Sequence, residues 1–378
     1  MTTVCVSADT LTYPEGGGHF WVYLNWALGL QAIGCDIVWL ESVSSESLPS
    51  EELARLVAVL QENLRPYGLA ESVALAARDA GAALPGLPAP ADGLLPLEAA
   101  FEADLVLNLC YGAQQAVLDR CRRTVLVDID PGLLQRWVSR GELSLARHDL
   151  YFTIGETVAT GSPTIPPTPY TWIYTPPPVA TWVWSGPPAP RGAPYTTVAH
   201  WWGDSIVDGE DWYENSKREA FLDYLDLPSQ VDAGLELALD LLPGDEEFAM
   251  LARRGWRTRA GHEVARSPDA YRDYIWGSRG EFSCAKQSCL RFANAWVSDR
   301  TLCYLAGGRP AVVQHTGPSG FLPDRAGLLR FRTPAEAAEL LTEAEANYDY
   351  HAKEARSLAE EHFDGRTVVT RLLERALG

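Results

Sequence analysis

Lysine is nearly missing from this chain: only three of its 31 basic residues are lysines, at 217, 286 and 353. Basic charge is short overall, because 50 acidic residues leave a net charge of −19. Most of such a surface repels a polyanion, so nucleic-acid binding is not expected. A small anion remains compatible with it wherever a few basic side chains converge. The seven cysteines (5, 35, 110, 121, 284, 289 and 303) include no C-x-x-C pair and mostly sit in apolar contexts. They predict buried free thiols in a reducing cytoplasm and offer no zinc spacing. No apolar run nears the roughly 20 residues that cross a bilayer, so no membrane span is expected. The opening MTTVCVSADT has no basic segment ahead of an apolar one, and secretion is not expected. His148, His262, His351 and His362 lack metal-ligand spacing, and neither a P-loop nor a G-x-S-x-G elbow occurs. No metal and no cofactor are therefore expected.

What is present is an alternation of strands and helices over 378 residues, enough for two domains. VCVSA, CDIVWLE, DLVLNLC and TVLVDID are apolar enough to be strands buried on both faces. Between the first two, GGGHFWVYLNWALGLQAIG reads as a glycine-rich loop feeding a helix that stops at Gly34. This is a βαβ pattern with a parallel sheet. From about Ser162 to Pro194 the chain is dense in proline and tryptophan and has no helical period. That stretch predicts an extended connector, with an aromatic platform for a sugar or base as the alternative. A second alternating region begins at YTTVAHWWG, and the chain after GLLRF is helical to its end.

The most telling stretch is Glu281 to Pro323. EFSCAK predicts a strand, Ser298 an N-cap for a helix over Asp299 to Ala306, Gly307 and Gly308 its stop, and PAVVQ a buried parallel strand. A helix N-terminus carrying Arg300 in its first turn then stands at the carboxyl edge of a parallel sheet. Such edges bind ligands, and free N–H groups there suit phosphate. On the same logic Ser298 and Arg300 are candidate diphosphate contacts, and Asp299 could accept ribose hydroxyls. Lys286 ends its strand at that edge, Gly203 would let backbone approach a diphosphate, and Thr316 and Gly317 form a loop suited to sugar hydroxyls or phosphate.

In the first half, Gly17 and Gly18 are candidate substrate contacts, and His19 opens the helix that follows them. A neutral imidazole there can act as general base. Asp130 and Asp128, at the end of TVLVDID, could orient it or replace it as base, with Asp9 a further alternative. Gly16 and Gly18 with Glu41 hint at a dinucleotide site, but Trp21 stands where the third glycine belongs. His200, Trp201 and Trp202, at a strand end, could stack on a nucleobase or be core.

Several segments resemble a bacterial group of glycosyltransferases of the GT-B class. They are VDIDPG (127–132), YFTIGETV (151–158), KREAFLDYLDLP (217–228), YRDYIWGSRGEFSCAK (271–286), WVSDRTLCYLAGGRPAVVQHTG (296–317) and the H-x-x-x-A-R-x-x-A-E-E-H-F run at 351–363. The resemblance implies an α/β protein of two Rossmann-like lobes facing across a cleft. An acceptor domain would span 1–180, with its connector from about 162, and a nucleotide-sugar donor domain 195–360. A terminal helix, 361–378, would return to the first lobe. It also implies transfer of a sugar from a nucleotide diphosphate sugar to a hydroxyl or amine acceptor without a metal, and Lys217 as a phosphate ligand. The acidic residue that retaining members carry before an alanine-rich helix segment has no counterpart here, where Cys303 and Tyr304 stand. Inversion is therefore expected. Epimerases and phosphorylases share the class, and a non-catalytic nucleotide-sugar binder is the further alternative.

Overall fold

The computed structural model describes residues 1–44, 49–78, 93–208 and 211–378. Two units emerge: residues 1–159, 166–178 and 365–378 form the first, and residues 160–165 and 179–364 the second.

In the first unit the β-branched and leucine-rich runs become β1 (Thr3–Ala8), β2 (Asp36–Val43), β3 (Val73–Ala77), β4 (Leu105–Asn108), β5 (Thr124–Asp128), β6 (Leu150–Thr153) and β7 (Trp172–Tyr174). All are parallel, in the order β3-β2-β1-β4-β5-β6-β7. The helix Gly17–Ala32 is apolar nearly all round because it is covered on more than one side. It packs on the helix Gly365–Leu377, which belongs to the same unit. They cross closely at Gly29, where a Cβ would stand 2.8 Å from the Gly365 carbonyl oxygen.

The second unit contains β8 (Tyr195–His200), β9 (Ser205–Asp208), β10 (Asp211–Glu214), β11 (Leu235–Asp240), β12 (Arg257–Ala260), β13 (Gly280–Ser283), β14 (Ala311–Gln314), β15 (Arg325–Ala326) and β16 (Leu328–Phe331). Its main sheet runs β12-β11-β8-β13-β14-β16-β15, parallel except for β15, while β9 and β10 form a separate antiparallel pair. Phe221, Phe282, Phe331 and Trp256 fill the core on one face of that sheet.

Counted from its own first strand, each sheet has the 3-2-1-4-5 order of a Rossmann-like fold. Strand order reverses between β1 and β4 in the first unit and between β8 and β13 in the second. Ligands in open α/β sheets bind outside the carboxyl ends of the strands at such points. The proline-rich stretch takes the edge structure its composition predicts, with one helical turn besides. Trp172–Tyr174 joins the first sheet as an edge strand, where proline neighbours remove no ladder bond, and Thr181–Trp184 makes a helical turn. Trp184 is fully buried within the second unit, beside Tyr271. Among the described residues no helix is long and apolar enough to cross a membrane.

Candidate functional site

At the carboxyl edge of β13 and β14, Ser298 caps the helix Asp299–Ala306, its Oγ accepting from the Arg300 N–H at 3.2 Å. A water-sized hollow of about 30 Å³ opens beside this helix start, lined by Lys217, Ser283, Gln314, Thr316, Trp296, Arg300 and Arg330 among others. Arg300 is not a loose fork. Its Nε donates to Glu281 at 2.7 Å, one terminal nitrogen to the Val198 carbonyl at 3.0 Å and the other to Ser283 Oγ at 2.7 Å. Burial works to lower its pKa, but the Glu281 carboxylate outweighs that and holds the guanidinium charged.

Lys217 opens the helix Lys217–Leu222, is buried, and donates to the Cys284 carbonyl. Burial, and next the Arg300 charge, pull its pKa down to about 7. A desolvated ammonium without a carboxylate is what an arriving anion would stabilise. The buried Trp296 indole N–H has no partner among the described residues. Thr316 Oγ1 donates to the Trp296 carbonyl at 2.7 Å, tying the two loops together.

Of the residues expected from sequence at the donor edge, Lys217, Ser298, Arg300 and Thr316 converge on this hollow. Lys286, half-buried, stands at the start of the short helix Gln287–Phe292, outside the lining, and Asp299 is outside it too. Gly203 and Gly317 have structural reasons of their own. A Cβ on Gly203 would come 2.8 Å from the Asn215 carbonyl oxygen, and one on Gly317, at φ 136°, 2.4 Å from that of Ala293. Arg330 escaped the sequence reading, although an arginine inside the apolar strand LLRF was a visible signal.

At the carboxyl edge of the first sheet lies a cavity of about 270 Å³, lined by Asp9, His19, Tyr23, Ser42, Arg78, Cys110, Tyr111 and Asp130 among others. His19 Nε2 is 2.7 Å from the Asp9 carbonyl oxygen. A carbonyl only accepts, so Nε2 carries the proton and a neutral ring keeps its basic lone pair on Nδ1. Gly17 and Gly18 form the first turn of that helix.

Tyr111, which sequence reading missed, organises the aspartates. Its hydroxyl accepts from the Ile129 and Asp130 N–H groups at 3.0 and 2.9 Å and lies 3.0 Å from an Asp130 carboxylate oxygen. Asp128 is buried, accepting from Gln135, Thr153 and the Asp130 N–H, and burial pushes its pKa up to about 6. Glu41 serves no ribose. Its buried carboxylate accepts from Thr10 and Leu11 N–H, Thr10 Oγ1 and Trp39 Nε1, and so fastens the loop ahead of the glycines.

At the end of β8, Trp201 is core, its indole donating to Glu247 at 2.8 Å, while His200 pairs with Asp240 at 2.8 Å. Cys303 and Tyr304 are buried, with Tyr304 hydrogen-bonded to Thr196 at 2.6 Å. Among the described residues no group of three or more His, Cys, Asp or Glu could hold a metal ion.

No family model and no curated protein matches the sequence. Solved structures do match from end to end. Anabaena HepE in complex with UDP and glucose is 12% identical, with 99% of each chain covered and a TM-score of 0.56. An alpha-glucosyltransferase in complex with UDP and a 13-mer DNA containing a HMU base is 10% identical, with 100% of this chain and 99% of that one covered and a TM-score of 0.60. HepE with UDP-glucose matches over 99% of both chains at 12% identity and a TM-score of 0.56. Two Rossmann-like units in one chain, matched from end to end by such structures, give this protein the fold of the GT-B glycosyltransferases.

Proposed function

We propose that the protein transfers a sugar from a nucleotide diphosphate sugar to a hydroxyl or amine of an acceptor, UDP-glucose being the first donor to try. The observation that carries this reading is the end-to-end likeness to an alpha-glucosyltransferase and to HepE, both in structures that hold UDP. The chemistry at the two sheet edges is consistent with it. In the second unit Lys217, Arg300, Arg330 and the amides of the helix Asp299–Ala306 form a basic edge that can stabilise a departing diphosphate without a metal. In the first unit His19 Nδ1 takes the acceptor proton, with Asp130 the alternative base. The new bond forms from the acceptor oxygen or nitrogen to the anomeric carbon as the bond to the diphosphate breaks; the missing acidic residue before the alanine-rich helix segment supports inversion, whereas the alpha-glucosyltransferase neighbour supports retention.

The net charge of −19 argues against a nucleic-acid acceptor, and the alpha-glucosyltransferase neighbour, which holds DNA in several structures, argues for testing one. A second reading is a non-catalytic nucleotide-sugar binder; in either reading a diphosphate must bridge or displace the contacts that hold Lys217 and Arg300 to the protein's own groups. The test is UDP-glucose turnover with EDTA present, followed by NMR of the product's anomeric proton. Slow hydrolysis or transfer supports the enzyme, and binding without turnover supports the second reading. An alpha product would remove inversion and the base role of His19 with it. UDP should also raise the melting temperature, by about 2.7 kcal/mol of added stability at 100 times its Kd. No shift at any concentration would dismiss the donor site.

A further inference from the structure

The only polar partner that fixes the His19 ring nitrogens is a main-chain group, the Asp9 carbonyl, 2.7 Å from Nε2. A buried side chain on the neighbouring strand holds that main-chain group in turn. Asp9 directly follows β1, and its carbonyl carbon shares a peptide unit with the Thr10 nitrogen. No peptide bond among the described residues is cis, and in a trans peptide the carbonyl and the N–H point opposite ways. The carbonyl side of this peptide meets His19. Its N–H side meets Glu41, whose two carboxylate oxygens lie 3.1 and 3.0 Å from the Thr10 nitrogen.

Glu41 grips both partners of the His19 bond. On the loop it also accepts from Thr10 Oγ1 at 2.5 Å and from the Leu11 N–H at 3.3 Å. On the other side it accepts from Trp39 Nε1 at 2.9 Å. The Trp39 ring stacks on Phe20, the residue after His19 in its helix, with ring centres 5.4 Å apart. Among the described residues no cation is bonded to Glu41, so its partners are neutral donors throughout. The Asp9 carboxylate is engaged elsewhere, with Arg78 at 3.2 Å.

A chain of hydrogen bonds therefore runs from the Glu41 carboxylate through one peptide to the imidazole. Such bonds polarise one another, and a carboxylate on the N–H side makes the carbonyl a stronger acceptor. The same carbonyl faces the imidazolium that forms when Nδ1 takes a proton.

We propose that Glu41 is a positioning residue for His19, acting through the Asp9–Thr10 peptide to orient the ring and keep its proton on Nε2. The use of Nδ1 as a base rests on the sugar-transfer reading; the hold on the ring does not. The test labels the histidines of the full chain with 15N and reads their tautomers at pH 8. His19→Gln identifies the His19 signal among the seven. In the wild type Nε2 should carry the proton and Nδ1 should be bare. Glu41→Gln turns an amide donor toward the Thr10 N–H, so the peptide is released and His19 should populate both tautomers. Its kcat should fall about tenfold or more, a share of what a positioned base supplies, while KM for UDP-glucose stays within about twofold. Thr10→Val should move both readouts the same way by less, and it decides alone if Glu41→Gln does not fold. Thr10→Ser, which keeps the hydroxyl, should keep the wild-type tautomer. A wild-type proton on Nδ1 overturns the proposal. So does a lower melting temperature in the folded variants with the wild-type tautomer kept, since Glu41 would then serve stability alone. A changed tautomer with wild-type kcat overturns it too. A tautomer that depends on Glu41, in a protein that never turns over UDP-glucose, would sink the transferase reading and leave the hold on the ring standing.

Discussion

The two sheets share a strand order and differ in what stands at the edge where that order reverses. The first sheet ends in an open cavity of about 270 Å³ with Asp9, Asp130 and His19 in its wall. The second ends in a hollow of about 30 Å³ walled by Lys217, Arg300 and Arg330. Each sheet also carries a buried glutamate, Glu41 in β2 and Glu281 in β13, and the two are handled oppositely. Glu41 is held by neutral donors alone, and burial raises its pKa. Glu281 is held by the Arg300 guanidinium. Topology therefore supplies a recess at each edge, and the side chains at the strand ends set its size and lining: roomy, with Asp130, His19 and an Asp9–Arg78 pair, in one unit, and tight, with Lys217 and the carboxylate-paired Arg300 and Arg330, in the other.

The sharpest way to break the contrast is Arg300→Ala. It leaves the Glu281 carboxylate buried and unpaired, so unfolding stability in urea should fall by about 3–5 kcal/mol. Arg300→Ala together with Glu281→Gln should recover part of that loss. A loss below about 1 kcal/mol for the single variant would mean that the pair is not buried in solution.

At the first edge, His19→Ala should lower transfer by about 10²–10⁴-fold while UDP still shifts the melting temperature as in the wild type. Equal loss of UDP binding would show that His19 does not belong to a separate proton-removing site.

Glu41→Gln tests the neutral clamp. The amide keeps one acceptor oxygen but turns a donor toward the Thr10–Leu11 N–H groups, costing about 1–3 kcal/mol at pH 7. Because the folded-state pKa of Glu41 is raised, its ionisation weakens the fold as pH climbs above the ordinary carboxylate range. The variant should lack that decline, and an unchanged pH profile would contradict the burial.

Lys217→Met gives the gentlest readout. A lysine held at about pKa 7 when folded binds fewer protons than the unfolded chain between about pH 7 and 10.5. Its contribution to stability therefore rises with pH across that window, with a slope of about 1.4 kcal/mol per pH unit. The methionine variant should flatten the slope and weaken UDP binding. Absence of any such slope in the wild type would mean that the ammonium stays solvated.

Much of this contrast was legible before any coordinates. Ser298 announced the cap of the helix Asp299–Ala306, and the run PAVVQ announced β14, because cap chemistry and apolar periodicity are local. The glycines were legible as glycines but not in purpose. Gly203 and Gly317 face the chain's own backbone, and only packing distances show that. Tyr111 and Arg330 were overlooked because neither sits in a recognisable motif. The ribbon of β9 and β10 was missed although Asp208-Gly209 is a hairpin signal in the sequence, because its strands are only four residues long and half polar.

The succession of strands and helices, the two-domain length and the shortage of basic charge were determined by sequence alone, since propensity, periodicity and composition act over a few residues or none. Which cations are tied to a carboxylate and which are not was decided by tertiary structure. Arg300 and Lys217 read alike as free basic side chains. Burial gave one a carboxylate and the other only a carbonyl, and desolvation makes that difference decisive.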